Sequence, residues 1–296
     1  MKPSITITNL TKRYGQAPPA LQGLTLQVQP GEIYGFLGAN GAGKSTTIRL
    51  LLNFLQPTSG TAQIMGLDSI QDAVEIKKHV GYLAGEVALY NKATGSELLD
   101  YLKSFQPVGN YRWELEARFK PNLSQPLSEL SKGNRQKVAI IQACMHEPSV
   151  LILDEPTSGL DPLMQEAFYQ TLTEAKERGA AILMSSHNLT EAQRICDRIG
   201  IVRQGKLVHE QTLDKHASVA TTLFEVSFAN ADQLRHCSAD AQLTLVSKTS
   251  AHTAMFRPAH SIAKALSAFG KYDIVQFSSR VPDLEDEFLE FYGDAA

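Results

Sequence analysis

Residues 38–46 read Gly-Ala-Asn-Gly-Ala-Gly-Lys-Ser-Thr, and they lie between an apolar run and a run of helix-forming residues. The spacing G-x-x-x-x-G-K-[ST] is typical of a loop whose backbone N–H groups surround nucleotide phosphates. Residues 32–37, just before it, predict a buried strand, and residues 46–52 predict a helix. A strand, a glycine-rich loop and a helix in this order predict an α/β fold that binds a nucleoside triphosphate.

Individual residues of this loop have separate expected roles. Gly38, Gly41 and Gly43 are expected to adopt backbone angles that are closed to other residues. The Lys44 ammonium should reach the β- and γ-phosphates, and the Ser45 hydroxyl should complete a Mg²⁺ shell.

Composition limits the classes of function that remain. The chain has 296 residues, 43% of them hydrophobic and 20% charged, as in ordinary globular proteins. A net charge of -3 argues against a nucleic-acid partner, because nucleic-acid binders usually carry a strongly basic face. The three cysteines are far apart and show no metal-ligand spacing, so reduced cytosolic thiols are expected. No apolar run approaches the ~18 residues that span a bilayer, so any membrane role is expected to come through a partner.

Hydrophobic periodicity gives the order of the elements. Alternating residues over 4–28 predict an antiparallel β layer, and residues 95–120 predict a helical insert. The apolar run 150–153, a helix over 162–178 and a strand over 181–184 follow one another. Strand, helix and strand in this order predict right-handed crossovers and a doubly wound parallel sheet.

The pattern of short strands and helices restarts near residue 217, which predicts a second domain. We expect a nucleotide-binding domain over 1–218, with a helical subdomain over about 90–148, followed by a small α+β domain over 219–296.

An acidic pair follows the apolar strand 150–153. Asp154 ends that strand, so its carboxylate can reach a metal shell at the carboxyl edge of the sheet. Glu155 comes one residue later and can polarise an attacking water near the γ-phosphate. A solvated turn is the alternative for an isolated Asp-Glu pair, but the phosphate loop upstream favours the catalytic interpretation.

Residues 130–138 place a serine and a glycine at the start of another helix. Ser131 and the free N–H groups beside it could form a second anion-binding surface. Taken alone, Ser131 is better explained as an ordinary helix N-cap.

With these segments, the chain resembles the nucleotide-binding subunit of an ATP-binding-cassette (ABC) transporter. Residues 38–46 match the Walker A loop, and residues 150–155 match the Walker B strand with its catalytic glutamate. Residues 130–134 match the family signature Leu-Ser-Gly-Gly-Gln in altered form. Residues 158–161 match the D-loop and His187 the switch histidine.

The resemblance covers residues ~4–215 and implies a P-loop ABC ATPase fold with ATP and Mg²⁺ as ligands. It implies Glu155 and His187 as catalytic residues, and Ser45 and Asp154 as Mg²⁺ ligands. Tyr14, in Lys-Arg-Tyr-Gly, matches the aromatic that stacks on adenine. The implied nucleotide-binding residues are Tyr14, Gly38, Asn40, Gly41, Gly43, Lys44, Ser45, Thr46, Ser131, Gly133 and Asp161.

Two departures from the family pattern stand out. The glutamine of the family's Q-loop, which normally touches both Mg²⁺ and the membrane partner, is replaced by Gly85. Glu86 beside it is a candidate substitute as a metal ligand. In the signature, Lys132 and Asn134 replace family residues, while the serine and the second glycine are retained.

The resemblance implies an ATPase that works as a head-to-tail homo- or heterodimer, with Ser131 and Gly133 of one subunit closing over the ATP of the other. An integral membrane permease would be driven by this cycle, which places the chain at the cytoplasmic face of the cell membrane. Residues ~220–296, with a closing motif at residues 282–289, resemble the C-terminal domain of drug-, antibiotic- and polysaccharide-exporting ATPases.

Other functions remain open at this stage. A non-transport ABC ATPase of the DNA-repair type would need a long coiled coil, and a translation factor usually carries two cassettes; neither feature is visible here. A regulatory scaffold that binds ATP without hydrolysing it is the remaining alternative, and Gly85 gives it some support.

Overall fold

The chain divides into two units, Met1–Leu213 and Asp214–Ala296. The sequence placed this division at residue 218. The computed structural model describes residues 2–85, 92–105, 111–213 and 223–280.

The first unit combines strands and helices in the alternating order of an α/β domain. Its strands are β1 (Ile5–Lys12), β2 (Leu21–Val28), β3 (Ile33–Leu37), β4 (Ser59–Ile64), β5 (Leu67–Asp68), β6 (Val80–Leu83), β7 (Val150–Asp154), β8 (Ala181–Ser186), β9 (Arg198–Arg203) and β10 (Lys206–Thr212). Its helices are α1 (Lys44–Leu51), α2 (Ala73–His79), α3 (Gly95–Lys103), α4 (Tyr111–Phe119), α5 (Lys132–Cys144), α6 (Pro162–Glu177) and α7 (Leu189–Ile195).

A six-stranded sheet in the order β10-β9-β3-β8-β7-β6 forms the centre of this unit. The neighbours from β9 to β6 pair in parallel, and β10 is an antiparallel edge strand. All residues of β3, β7 and β8 are buried, as expected for strands of a parallel sheet that is covered on both faces. The parallel sheet predicted from the sequence is confirmed.

A second, antiparallel sheet in the order β2-β1-β4-β5 packs on this core. Ile7 of β1, Phe36 of β3 and Ile152 of β7 belong to one buried cluster, which also contains Ile48 of α1. The two sheets therefore share one hydrophobic core, and α1 is held where the phosphate loop ends.

The helical insert has a small core of its own. Helix α3 begins with a capping box, in which Thr94 and Glu97 bond to each other's backbone N–H groups. Leu98, Leu130 and Val138 are buried together in a cluster that joins α3 to α5. This insert therefore fixes the position of the α5 N-terminus, where the altered signature lies.

The second unit is a four-stranded antiparallel sheet in the order β12-β13-β11-β14. Its elements are β11 (Leu223–Phe228), α8 (Ala231–Cys237), β12 (Leu243–Lys248), β13 (Thr253–Pro258), α9 (Ile262–Phe269) and β14 (Ile274–Arg280). The βαββαβ order with this strand arrangement is the ferredoxin-like, or split βαβ, topology. Phe224, Phe256 and Phe269 form its aromatic core. The closing motif at residues 282–289 lies outside the described residues.

Among the helices that the structure describes, none is both long enough and apolar enough to cross a bilayer.

Helix α6 offers a matched test of how far core packing stabilises the first unit. Leu172 is fully buried, whereas Leu163 on the same helix is 73% exposed. We expect Leu172→Ala to lower the free energy of unfolding by about 2–5 kcal/mol, because it removes buried methyl groups and leaves a cavity. Leu163→Ala should stay within about 0.5 kcal/mol of the unaltered chain in urea unfolding. Equal losses for the two variants would contradict this packing.

Candidate functional site

The phosphate loop joins β3 to α1, and its shape depends on two glycines. Gly41 and Gly43 have φ values of 81° and 114°, in the left-handed region. A Cβ on Gly43 would also lie 2.7 Å from Leu21 Cδ2 and 2.9 Å from the Ala20 carbonyl oxygen. The prediction of left-handed backbone angles at Gly38 is wrong, because Gly38 is not among the glycines with positive φ.

Lys44 opens α1 and is held inside the loop with only 5% of its surface exposed. Its Nζ donates to the Gly38 carbonyl oxygen at 2.6 Å and to the Ala39 carbonyl oxygen at 3.4 Å. The same nitrogen lies 3.7 Å from Glu155 Oε1. The buried Lys44 ammonium therefore lies between the carbonyl oxygens of the loop and the Glu155 carboxylate.

A cavity of about 150 Å³ opens between this loop and the end of β7. Seven of the residues predicted from the sequence line it together. The complete lining is Ala20, Ala39, Asn40, Gly41, Gly43, Lys44, Ser45, Thr46 and Glu155.

Glu155 is held at the mouth of this cavity by its backbone. Its φ is 46°, which is unusual for a residue with a side chain. Its N–H donates to the carbonyl oxygen of Ser185 at 3.1 Å, which extends the pairing of β7 with β8 by one residue beyond Asp154. His187 Nδ1 lies 3.1 Å from Glu155 Oε1, and the imidazole is 62% exposed. The structure therefore brings the two residues predicted as catalytic into direct contact.

Asp154 is nearly buried, with 8% of its surface exposed. The Ser185 hydroxyl donates to Asp154 Oδ1 at 2.5 Å. Burial, with a further contribution from the negative charge of Asp154, raises the pKa of Tyr82. The carboxylate thus sits in a largely dry environment at the edge where the phosphate loop lies.

The residues present fit a magnesium ion that arrives with nucleotide phosphates. Mg²⁺ prefers hard oxygen ligands and is usually bound by one or two carboxylates together with substrate phosphates. Asp154 supplies a carboxylate oxygen and Ser45 a hydroxyl oxygen that lines the cavity. In the described part of the chain, no group of three or more His, Cys, Asp and Glu residues is arranged to hold a metal.

The altered signature begins at Ser131, which caps α5 by accepting a hydrogen bond from the Asn134 N–H at 3.3 Å. Lys132, which replaces a family glycine, donates from Nζ to the Ser158 hydroxyl at 2.8 Å. A Cβ on Gly133 would lie 3.0 Å from the Gly159 carbonyl oxygen. Ser131 and Gly133 do not line the cavity at Lys44.

Further contacts join α5 to the segment after Glu155. The Gln136 amide nitrogen donates to the Pro156 carbonyl oxygen at 2.6 Å in a buried position. Asp161 caps α6 by accepting from the Met164 N–H at 3.0 Å. These two contacts flank the D-loop within one chain.

Tyr14, predicted to stack on adenine, does not line the cavity. It is 44% exposed, with Lys12 Nζ 5.2 Å from the centre of its ring. Glu86, the candidate metal ligand, lies outside the described residues.

Sequence reasoning missed Ser185, Lys132 and Gln136 as residues that touch the site or its supporting loops. The first could have been found as a hydroxyl at the end of the strand beside the Asp-Glu strand. For the other two, the sequence contains no signal of the contact, because their partners are set by how α5 packs.

Comparison with known proteins agrees with this geometry. The family described as "ABC transporter" matches residues 21–158. The daunorubicin resistance ATP-binding protein DrrA3 of Streptomyces coeruleorubidus is 30% identical over 305 residues, which cover 98% of this chain and 96% of that protein. A solved structure of an ATP binding subunit of an ABC transporter is 32% identical, with a TM-score of 0.66, and covers 71% of this chain and 90% of that one.

The probable multidrug ABC transporter ATP-binding protein YbhF of Escherichia coli (strain K12) is 36% identical over 217 residues. These residues are 71% of this chain but only 37% of the relative, so the chain spans well under half of that protein's length.

The position of Lys44 predicts its contribution to nucleotide binding. We expect Lys44→Ala to weaken ATP binding by about 10- to 100-fold, because it removes a hydrogen bond from a charged donor to the phosphates. Isothermal titration calorimetry measures this, and Lys264→Ala, at an exposed lysine of the second unit, is the control. Unchanged affinity in the Lys44 variant would refute its role at the phosphates.

Proposed function

The chain belongs to the ABC transporter family, and from this premise we propose that it is an ATP-hydrolysing subunit that dimerises around ATP and drives export through a separate membrane permease. The observation that carries the proposal is that Lys44 and Glu155 line one cavity and that His187 contacts the same Glu155 carboxylate. A cation for phosphates, a carboxylate base and an imidazole at contact distance are the groups that triphosphate hydrolysis needs.

Lys44 is proposed to bind the β- and γ-phosphates. Phosphate oxygens would replace the Gly38 and Ala39 carbonyl oxygens as acceptors for its Nζ. The turn through Gly41 and Gly43 leads into the N-terminus of α1, where free N–H groups and the helix dipole favour negative charge.

Glu155 is proposed to take a proton from the attacking water. Its side chain lines the cavity together with the residues of the phosphate loop. His187, in contact with Oε1, would hold the carboxylate in that direction. The metal, held by Ser45 and Asp154, would neutralise charge that develops on the phosphate oxygens.

A second ATP-binding subunit, the same chain or a related one, is the proposed partner. Ser131 and Gly133 carry the retained signature positions, yet they lie away from the Lys44 cavity of their own chain. A head-to-tail dimer would use them against the γ-phosphate in the other subunit, with Asp161 beside the interface. Tyr14 is proposed to stack on adenine, for which its exposed ring is accessible.

Export through an integral membrane permease completes the proposal, with the chain bound at the cytoplasmic face of the membrane. Support comes from the names of the multidrug and daunorubicin resistance relatives. The transported compound would be selected by the permease.

Glu155→Gln tests the assigned base. We expect this variant to bind ATP normally and to hydrolyse it about 100-fold more slowly or worse, because an amide cannot accept the water's proton. It should also accumulate as an ATP-dependent dimer in size-exclusion chromatography. Glu166→Gln, at an exposed carboxylate of α6, should hydrolyse ATP at the unaltered rate. Normal turnover by the Glu155 variant would remove it from the mechanism.

Purification from membranes in mild detergent tests the transport assignment. A permease should be recovered together with the chain, and ATP hydrolysis by the complex should respond to transported compounds. ATP binding without hydrolysis, alone or with membranes, would indicate a regulatory scaffold.

A further inference from the structure

The two carboxylate oxygens of Asp154 have different neighbours. On one side, β7 pairs in parallel with β8, and Asp154 is directly opposite Ser185. The Ser185 hydroxyl donates to Oδ1 at 2.5 Å, and both residues are buried. One oxygen of the carboxylate is therefore already bound within the protein.

The other oxygen faces the segment that follows β6. A Cβ placed on Gly85 would lie 3.5 Å from Asp154 Cγ and 3.6 Å from Oδ2. The family pattern has a glutamine at this position, whose side chain would stand beside that oxygen. Because residue 85 is a glycine, no side chain from this position contacts Oδ2.

The Ser185 hydroxyl also contacts the catalytic glutamate. It accepts a hydrogen bond from the Glu155 N–H at 3.2 Å while it donates to Asp154. A single hydroxyl thus connects the two consecutive acidic residues at the strained turn where φ is 46°. Rotation of the Asp154 carboxylate would break the bond to Ser185.

The geometry points to Ser185 as a positioning residue for the nucleotide-bound metal. It holds Oδ1 so that Oδ2 is the oxygen presented to Mg²⁺, in a site where Gly85 supplies no ligand. Orientation of the carboxylate then depends on the hydroxyl from β8. This inference rests on the proposed function.

The neighbouring serine shows that a buried hydroxyl in this strand need not serve the metal. Ser186 Oγ donates to Glu191 Oε2 at 2.7 Å and accepts from the Asn188 N–H at 2.9 Å. Its bonds therefore support the start of α7 instead of Asp154. Ser186→Ala removes the same chemical group at the next residue, which makes it the matched control.

The test measures Mn²⁺ binding to the ADP-loaded chain by the loss of the free Mn²⁺ signal in electron paramagnetic resonance. We expect Ser185→Ala to weaken Mn²⁺ binding by about 10- to 100-fold, as loss of an outer-shell partner does at other metal sites. Ser185→Thr, which keeps the hydroxyl, should restore the affinity. Ser186→Ala should lower thermal stability without changing Mn²⁺ affinity.

A second pair of variants tests the same geometry from the opposite side. Gly85→Gln places an amide oxygen beside Oδ2 and should tighten Mn²⁺ binding, whereas Gly85→Met, of similar length, should not. This pair remains informative if Ser185→Ala fails to fold.

Two results would overturn the inference, provided that the variants still bind ADP when EDTA removes the metal. The first is equal Mn²⁺ affinity in the Ser185→Ala and Ser186→Ala variants. The second is a Gly85→Gln variant that binds Mn²⁺ no more tightly than Gly85→Met. Either would leave the proposed function standing. Failure of the unaltered chain to bind ADP or ATP at all would overturn the proposed function and this inference with it.

Discussion

The parallel pairing of β3, β8, β7 and β6 is the constraint on which the site depends. Parallel strands place all their carboxyl ends at one edge, so the loops after four different strands meet there. The phosphate loop follows β3, His187 follows β8, and Asp154 and Glu155 close β7. Gly85 follows β6. These segments come from distant parts of the chain, and only the sheet brings them within contact distance.

The buried positive charge of Lys44 is balanced by groups at this same edge of the sheet. Lys44 is buried, and its ammonium is bound by two carbonyl oxygens with a carboxylate 3.7 Å away. A buried cation without such partners would be costly. The same contacts keep the side chain aimed at the space where phosphates are proposed to bind, so the loop is ordered in advance of its ligand.

The two departures from the family pattern affect different parts of the site. Gly85 removes a side chain next to Asp154, and the bond from Ser185 is then the contact that orients the carboxylate. Lys132 adds a cation to the signature, where it binds Ser158 of the D-loop. Together with the bond from Gln136 to Pro156, this contact couples the start of α5 to the segment after Glu155.

The sequence alone determined the fold class, the phosphate loop and the acidic pair, because glycine spacing and apolar periodicity are local signals. The predicted backbone angle of Gly38 was wrong, since spacing identifies a glycine but not its conformation. The tertiary structure decided which side chains touch. Ser185 and Asp154 are 31 residues apart, and Lys132 and Ser158 are 26 apart, so no local pattern relates them. Their contacts exist because strand register and helix packing place them side by side.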